Sequence, residues 1–221
     1  MNKLLVDICQ MKKFVALIYC ILACTLTSWA SFSKQSAYIT FYRQATEIQL
    51  SDSMPITETK YEIVFHFADE KAIALHHDYA IYYSFFDELH DVKAYTKNPQ
   101  QNGKMKTIHM KDFVSNNASS SGIFYDDQKV MNIQFLGLTV GSEAHIEYTI
   151  KTKECHFADP MAFRYYLPIE EVQFSLRVPT DVKIKILEKN IPSGFMTQSI
   201  SKKKKYTDYF WSAKHVEEEK R

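Results

Sequence analysis

Glycine, cysteine and any excess of charge are what this 221-residue sequence has least of. Its five glycines form no phosphate-cradling loop, and no Gly-x-Ser-x-Gly elbow occurs, so nucleotide binding and the serine-hydrolase plan find no support. Of four cysteines, Cys9, Cys20 and Cys24 fall within the first 30 residues; Cys155 stands alone in the remainder, which excludes an internal disulfide there. Basic and acidic residues nearly balance, 27 against 26. Nucleic acid and anionic membrane surfaces both demand a basic excess, so neither is expected as the main partner. The uncharged apolar run, Phe14 to Ala23, is shorter than the roughly 20 residues a spanning helix needs.

That short run has a different use. Met11-Lys12-Lys13 precedes it and Ser28-Trp29-Ala30 follows, the basic, apolar and small-residue order of a secretory signal peptide. Residues 1–30 are therefore predicted to be a signal peptide cut after Ala30, and the protein to be exported, either periplasmic or secreted. Met1 to Gln10 forms a second, weaker n-region that contains Asp7, which leaves Met1 and Met11 both open as the start. Ile21-Leu22-Ala23-Cys24 resembles a bacterial lipobox; on that reading Cys24 carries a lipid and tethers the chain to the outer membrane. Without residues 1–30 the chain has 24 basic residues against 25 acidic ones, a net charge of −1.

Beyond residue 30 a period of two dominates. Tyr61, Ile63, Phe65 and Phe67 alternate with Glu62, Val64 and His66; Ala144, Ile146, Tyr148 and Ile150 alternate with polar neighbours. Val172, Phe174, Leu176 and Val178 do the same, as do Val182, Ile184 and Ile186. Successive strand side chains point to opposite faces, so each run has one dry and one wet face. Phe174 and Ile184 are accordingly expected in the core. Runs of this kind between turn signals such as Asn98 to Gly103 and Gly137 to Gly141 predict an all-β, antiparallel two-sheet sandwich or barrel. This single domain is placed at residues 31–212, with 213–221 a charged tail or linker. Phe85 to His90 and Ala213 to Arg221 are the helical candidates.

Chemistry-bearing groups are sparse. Cys155, His156 and Asp159 suggest a cysteine nucleophile, but neighbours on an extended segment diverge, whereas catalysis needs an imidazole on the sulfur. His76-His77-Asp78, with His66 upstream, is the densest histidine cluster, and sequence neighbours on strands make poor metal ligands. The same objection applies to the acid pairs Asp126-Asp127 and Glu170-Glu171 as glycosidase carboxylates. No catalytic, cofactor or metal residue is assigned. Fourteen tyrosines and fifteen phenylalanines suit a packed sandwich. An exposed strip with Tyr82 and Tyr83, or Tyr165 and Tyr166, could instead grip sugar or peptide. Lys202 to Lys205 reads as a solvated turn or a charged sheet edge.

From Asp91 onward the order Val92-Lys93-Ala94-Tyr95-Thr96-Lys97-Asn98-Pro99, then Ser121 to Asp127, Ile133-Gln134-Phe135, Val140-Gly141-Ser142, Ile146-Glu147-Tyr148, Phe163 to Tyr166 and Phe174 to Pro179 becomes recognisable. Over Ser36 to Trp211 it resembles a family of unknown function found in front of transglutaminase-like domains in secreted proteins of Gram-negative bacteria. The resemblance implies an immunoglobulin-like sandwich that serves as an accessory domain to a papain-like Cys-His-Asp enzyme with no counterpart before Arg221. The expected role is a non-catalytic binding or scaffolding module for a protein, peptide or glycan of the cell envelope, or for a separately encoded transglutaminase-like partner. Two alternatives stand beside it: an inactive fragment of a truncated enzyme, and a small hydrolase using Cys155.

Overall fold

The computed structural model describes residues 35–51, 54–118 and 128–218. The predicted signal peptide, Cys24, Ser121 to Asp127 and the residues after 218 lie outside them. In chain order the elements are β1 (Ala37–Gln49), β2 (Ile56–Phe67), helix α1 (Glu70–His76), β3 (Asp78–Tyr83), β4 (Asp87–Pro99) and β5 (Met105–His109). There follow β6 (Val114–Asn117), β7 (Lys129–Gln134), β8 (Glu143–Thr152), a single 3-10 turn (Cys155–Phe157), β9 (Ile169–Pro179), β10 (Thr197–Lys202) and β11 (Tyr206–Val216).

The strands form an eight-stranded sheet, β10-β11-β9-β1-β2-β8-β4-β5, and a three-stranded sheet, β3-β7-β6. The all-β expectation holds, with two sheets of unequal size. One pairing departs from the antiparallel plan: β1 and β9 run parallel, with Tyr42 opposite Val172 and Gln44 opposite Phe174. A parallel pair needs only a long crossover, and more than a hundred residues lie between these strands.

Cross-strand register explains how the period-two runs combine. Tyr42, Ile63, Ile146 and Ala94 form one row on the inner face, and Gln44, Tyr61 and Tyr148 another. Ile39, Ile63, Phe67, Ile146, Val172 and Phe174 are all buried. The covering layer supplies Ala72 from α1, Ile81 from β3 and Ile133 from β7, all members of the same buried cluster. Helix α1 is pinned at its start, where the Asp69 carboxylate accepts from the Ala72 amide at 2.7 Å and from Ser36 Oγ at 2.6 Å. Those bonds, the Ser36 one foremost, hold the Asp69 carboxyl below its ordinary range.

Three local expectations fail. Phe85 to His90 is turn and strand: Asp87 accepts from the Ser84 amide and hydroxyl and from Thr152 Oγ1, and β4 then pairs with β8. Pairing with a long partner strand overrides the helical spacing of Phe85, Phe86 and Leu89. The tail is also strand as far as Val216, with Ala213 and Val216 buried, so β11 runs past residue 212. Val182 to Ile186 has strand alternation but forms no strand and no core. Ile184 is half-buried and Leu187 is 67% exposed. Alternation supplies the side chains for a sheet but not the neighbour whose backbone groups must be met.

Candidate functional site

The motif stretch that carries the family resemblance is consumed by a buried polar knot. Thr96 and Asn98, alternate residues of β4, face inward; Ser142 precedes β8. Ser142 Oγ donates to Asn98 Oδ1 at 2.5 Å, Asn98 Nδ2 to Thr96 Oγ1 at 3.3 Å, and Thr96 Oγ1 to the Leu136 carbonyl at 2.8 Å. The Thr139 amide donates to Ser142 Oγ at 2.9 Å. These bonds fasten the β7–β8 turn to β4. Gly137 in that turn has φ +68°, a left-handed conformation that favours glycine; a Cβ there would also press on Ile108 Cδ1, the movable end of its side chain, at 2.5 Å.

A second buried group is made of tyrosines. Tyr61 on β2 stacks on Tyr148 of β8 with centroids 4.7 Å apart, and its hydroxyl donates to Asp159 Oδ2 at 2.8 Å. Gln44 Nε2 reaches the Asp159 carbonyl at 3.5 Å. The segment after β8 is thereby tied to the inner face. Tyr79 lies 3.4 Å, oxygen to oxygen, from both Tyr148 and Tyr165, at the long limit for such a bond. Burial first, then Asp159 and Tyr148, pushes the Tyr61 phenol far above its usual range; burial does the same to Tyr42 and Tyr79. Burial thus favours the protonated form of all three phenols.

Of the four aromatics singled out in the sequence, the structure joins two. Tyr165 packs against Tyr42 and Tyr166, and Tyr166 against His76 with centroids 5.7 Å apart. Tyr166 keeps 41% of its surface exposed, and burial, Tyr165 and Asp78 push its phenol up. Tyr82 is 57% exposed on β3 beside the half-buried Tyr83 and shares no ring contact with the other pair.

The other candidates are dispersed. Cys155 is a half-exposed free thiol in the 3-10 turn. Its neighbour His156 faces Glu154 at 3.2 Å, His145 faces Glu143 at 2.9 Å, and His109 lies against Tyr95; among the described residues no imidazole bonds the sulfur. His76 and His77 end α1, whereas His66 sits on the outer sheet face against Tyr38. Among the described residues no three His, Cys, Asp or Glu side chains converge as metal ligands would. Glu171 pairs with Lys214 on the outer face, and its neighbour Glu170 is exposed.

That outer face offers a concave feature that periodicity does not announce. In register across four strands lie Phe210, Ser175, Ala45 and Lys60. Two small side chains between a phenylalanine and a lysine leave a groove of about 420 Å³, bounded on the next row by Glu47, Glu58 and the ion-paired Arg177 and Asp208. The face around it is laced with opposite charges, Arg43 with Glu62 and Lys60 with Glu147. The groove presents one apolar wall and separated charges, a surface suited to holding a polar chain. Only the cross-strand register, which unites residues 45, 60, 175 and 210, could have revealed it.

The model of the Domain of Unknown Function family DUF3857 matches residues 57–219. The chain belongs to this family. No curated protein matches it. Among solved structures it is similar to a "putative protease" from Parabacteroides distasonis, at 17% identity and a TM-score of 0.67. The match covers 84% of this chain and 37% of that one, so the chain spans well under half the length of its structural neighbour. At this identity the likeness speaks for the fold.

Proposed function

We propose that this DUF3857 chain is a non-catalytic, exported binding module that works beside an enzyme of the transglutaminase-like, papain-like class. The observation that carries the reading is the isolation of Cys155: among the described residues its thiol has no imidazole partner, and the adjacent histidine is engaged by Glu154. Thiol chemistry needs both a base on the sulfur and a group orienting the base. That the fold accounts for 37% of the similar Parabacteroides distasonis chain supports an auxiliary role. The groove around Ala45 and Ser175 supplies a surface for a peptide or glycan of the cell envelope, and the charge order at residues 11–30 supports export.

Two measurements test the proposal. The purified full chain and its Cys155→Ser variant are each incubated with a mixed peptide panel; neither is expected to turn over any member. Turnover by the parent that vanishes in C155S would overturn the non-catalytic reading. Fractionation of expressing cells, with the mass of the mature N-terminus, is expected to recover the chain outside the cytoplasm, starting after Ala30; a cytoplasmic, uncleaved chain would refute export.

A further inference from the structure

The large sheet ends at β10, which bonds only to β11. All six of its residues are exposed, including Ile200 at 54%, and among the described residues no backbone group outside β11 bonds to Thr197–Ser201. Edge strands are normally blunted by internal lysine, proline or a bulge. β5, at the opposite edge, carries Lys106 within its length, but Thr197–Ser201 is uncharged, continuous and free of proline. The chain leading to β10 is unusual in the same way. Lys183 to Ile191 has the composition of a strand and makes no backbone hydrogen bond among the described residues.

Charge chooses between occupants. Residues 180–205 hold seven lysines, Lys183, Lys185, Lys189 and Lys202 to Lys205, against Asp181 and Glu188, in a chain that is otherwise balanced. Lys203 is spent on Asp208 and Tyr206, but the others are exposed. Each copy of this edge carries that positive excess, so two copies repel one another through their net charge, whereas an acidic segment is attracted. We propose that β10 is a strand-addition site for an extended, acidic peptide segment of a partner protein. The peptide backbone pairs with Thr197–Ser201, and its carboxylates meet Lys202, Lys204 and Lys205 at the end of the strand. This deepens the binding-module reading and names the chemistry of what is bound.

The test uses the full chain and a fluorescein-labelled nonapeptide alternating valine with glutamate. Two control peptides accompany it: one with lysine for glutamate, the other acidic but N-methylated at every residue so that neither edge can pair. Anisotropy is expected to show saturable binding of the acidic peptide alone. The triple variant Lys202→Glu, Lys204→Glu, Lys205→Glu leaves Lys203 in place and is expected to bind about tenfold or more weakly. Hydrogen exchange is expected to slow at amides within Thr197–Ser201 when the acidic peptide is present. Equal binding of the N-methylated peptide would reduce the effect to charge attraction and overturn strand addition, as would unchanged exchange. So would absence of binding at about millimolar peptide, or sedimentation as a dimer with β10 protected by a second copy. None of these failures would bear on Cys155 or on peptide turnover, so the accessory reading would survive them.

Discussion

Phe174 and Ile184 look alike in the sequence, each an apolar residue in a run of strict alternation, and the fold separates them. Phe174 is 1% exposed on β9, with its ring set against Tyr42 and Phe163 at 6.1 and 4.7 Å between centroids. Ile184 lies half-buried on a segment that belongs to no sheet. Truncating a buried phenylalanine to alanine costs about 3 to 5 kcal/mol, through lost transfer energy and the cavity left between surrounding rings. Set against a total stability of about 5 to 15 kcal/mol, that is a large part of the whole. With a urea m-value near 2 kcal/mol/M, Phe174→Ala should lower the unfolding midpoint by roughly 1.5 to 2.5 M. Melting should fall by roughly 6 to 20 °C at 2 to 4 °C per kcal/mol.

Ile184→Ala deletes contacts that are already half open to water and should cost under about 1 kcal/mol. The assay is a matched pair of urea titrations followed by tryptophan fluorescence; Trp211, on β11 opposite Phe174, is a close reporter. Equal losses from the two variants would refute the assignment of inner face and unpaired segment together. A loss at Ile184 exceeding that at Phe174 would invert it.

Asn98→Ala removes the amide oxygen to which the buried Ser142 hydroxyl donates and the link to Thr96, so a loss of about 1 to 3 kcal/mol is expected in the same titration; a change below about 0.5 kcal/mol would dismiss the knot as a structural element. For Tyr61→Phe, Asp159→Ala and the double variant, a coupling of about 1 to 2 kcal/mol is expected, reduced from a buried value because Asp159 is exposed; additive losses would mean the contact does not hold the segment. His66, His76 and His145 are each lowered from the usual 6.5, burial being the largest cause, so the unfolded chain takes up protons that the folded one refuses. Their contribution is therefore complete above pH 6.5 and declines as pH falls below it. Urea midpoints should drop as pH falls below about 6.5, and His145→Gln should flatten part of that slope; a slope that His145→Gln leaves intact would remove His145 from the account.

Alternation was a reliable guide wherever a strand has neighbours on both sides. β2, β8 and β9 lie inside the eight-stranded sheet, and their apolar residues sit where period two puts them. It misled where the outcome depends on a distant partner. Phe85 to His90 becomes turn and strand because β8 is there to pair with it, and Val182 to Ile186 remains single, with no strand partner among the described residues. Helix α1 went unseen for a related reason. It is seven residues long and rests on Ser36, 33 residues before its cap. The parallel pairing of β1 with β9 and the unequal division into eight and three strands are properties of topology, which periodicity does not encode.

The same distinction applies to the site. The residues that made the family recognisable, Thr96, Asn98 and Ser142 among them, are engaged with one another in holding a turn to a strand. A hydroxyl that already donates to a buried amide oxygen has little left with which to recognise a ligand. Surface available for recognition is instead found where side chains are small, exposed or unpartnered: the depression at Ala45 and Ser175, and the margin at β10. Neither is marked by a motif, because a groove floor needs only small residues in register and an edge needs only the absence of obstruction. Substitutions in the first set should therefore appear in unfolding titrations, and substitutions at Ala45, Ser175 or the β10 lysines should appear in binding with stability largely retained. Binding losses that instead track the stability of knot variants would place recognition inside the scaffold, and would require the buried polar groups to be exposed in the bound state.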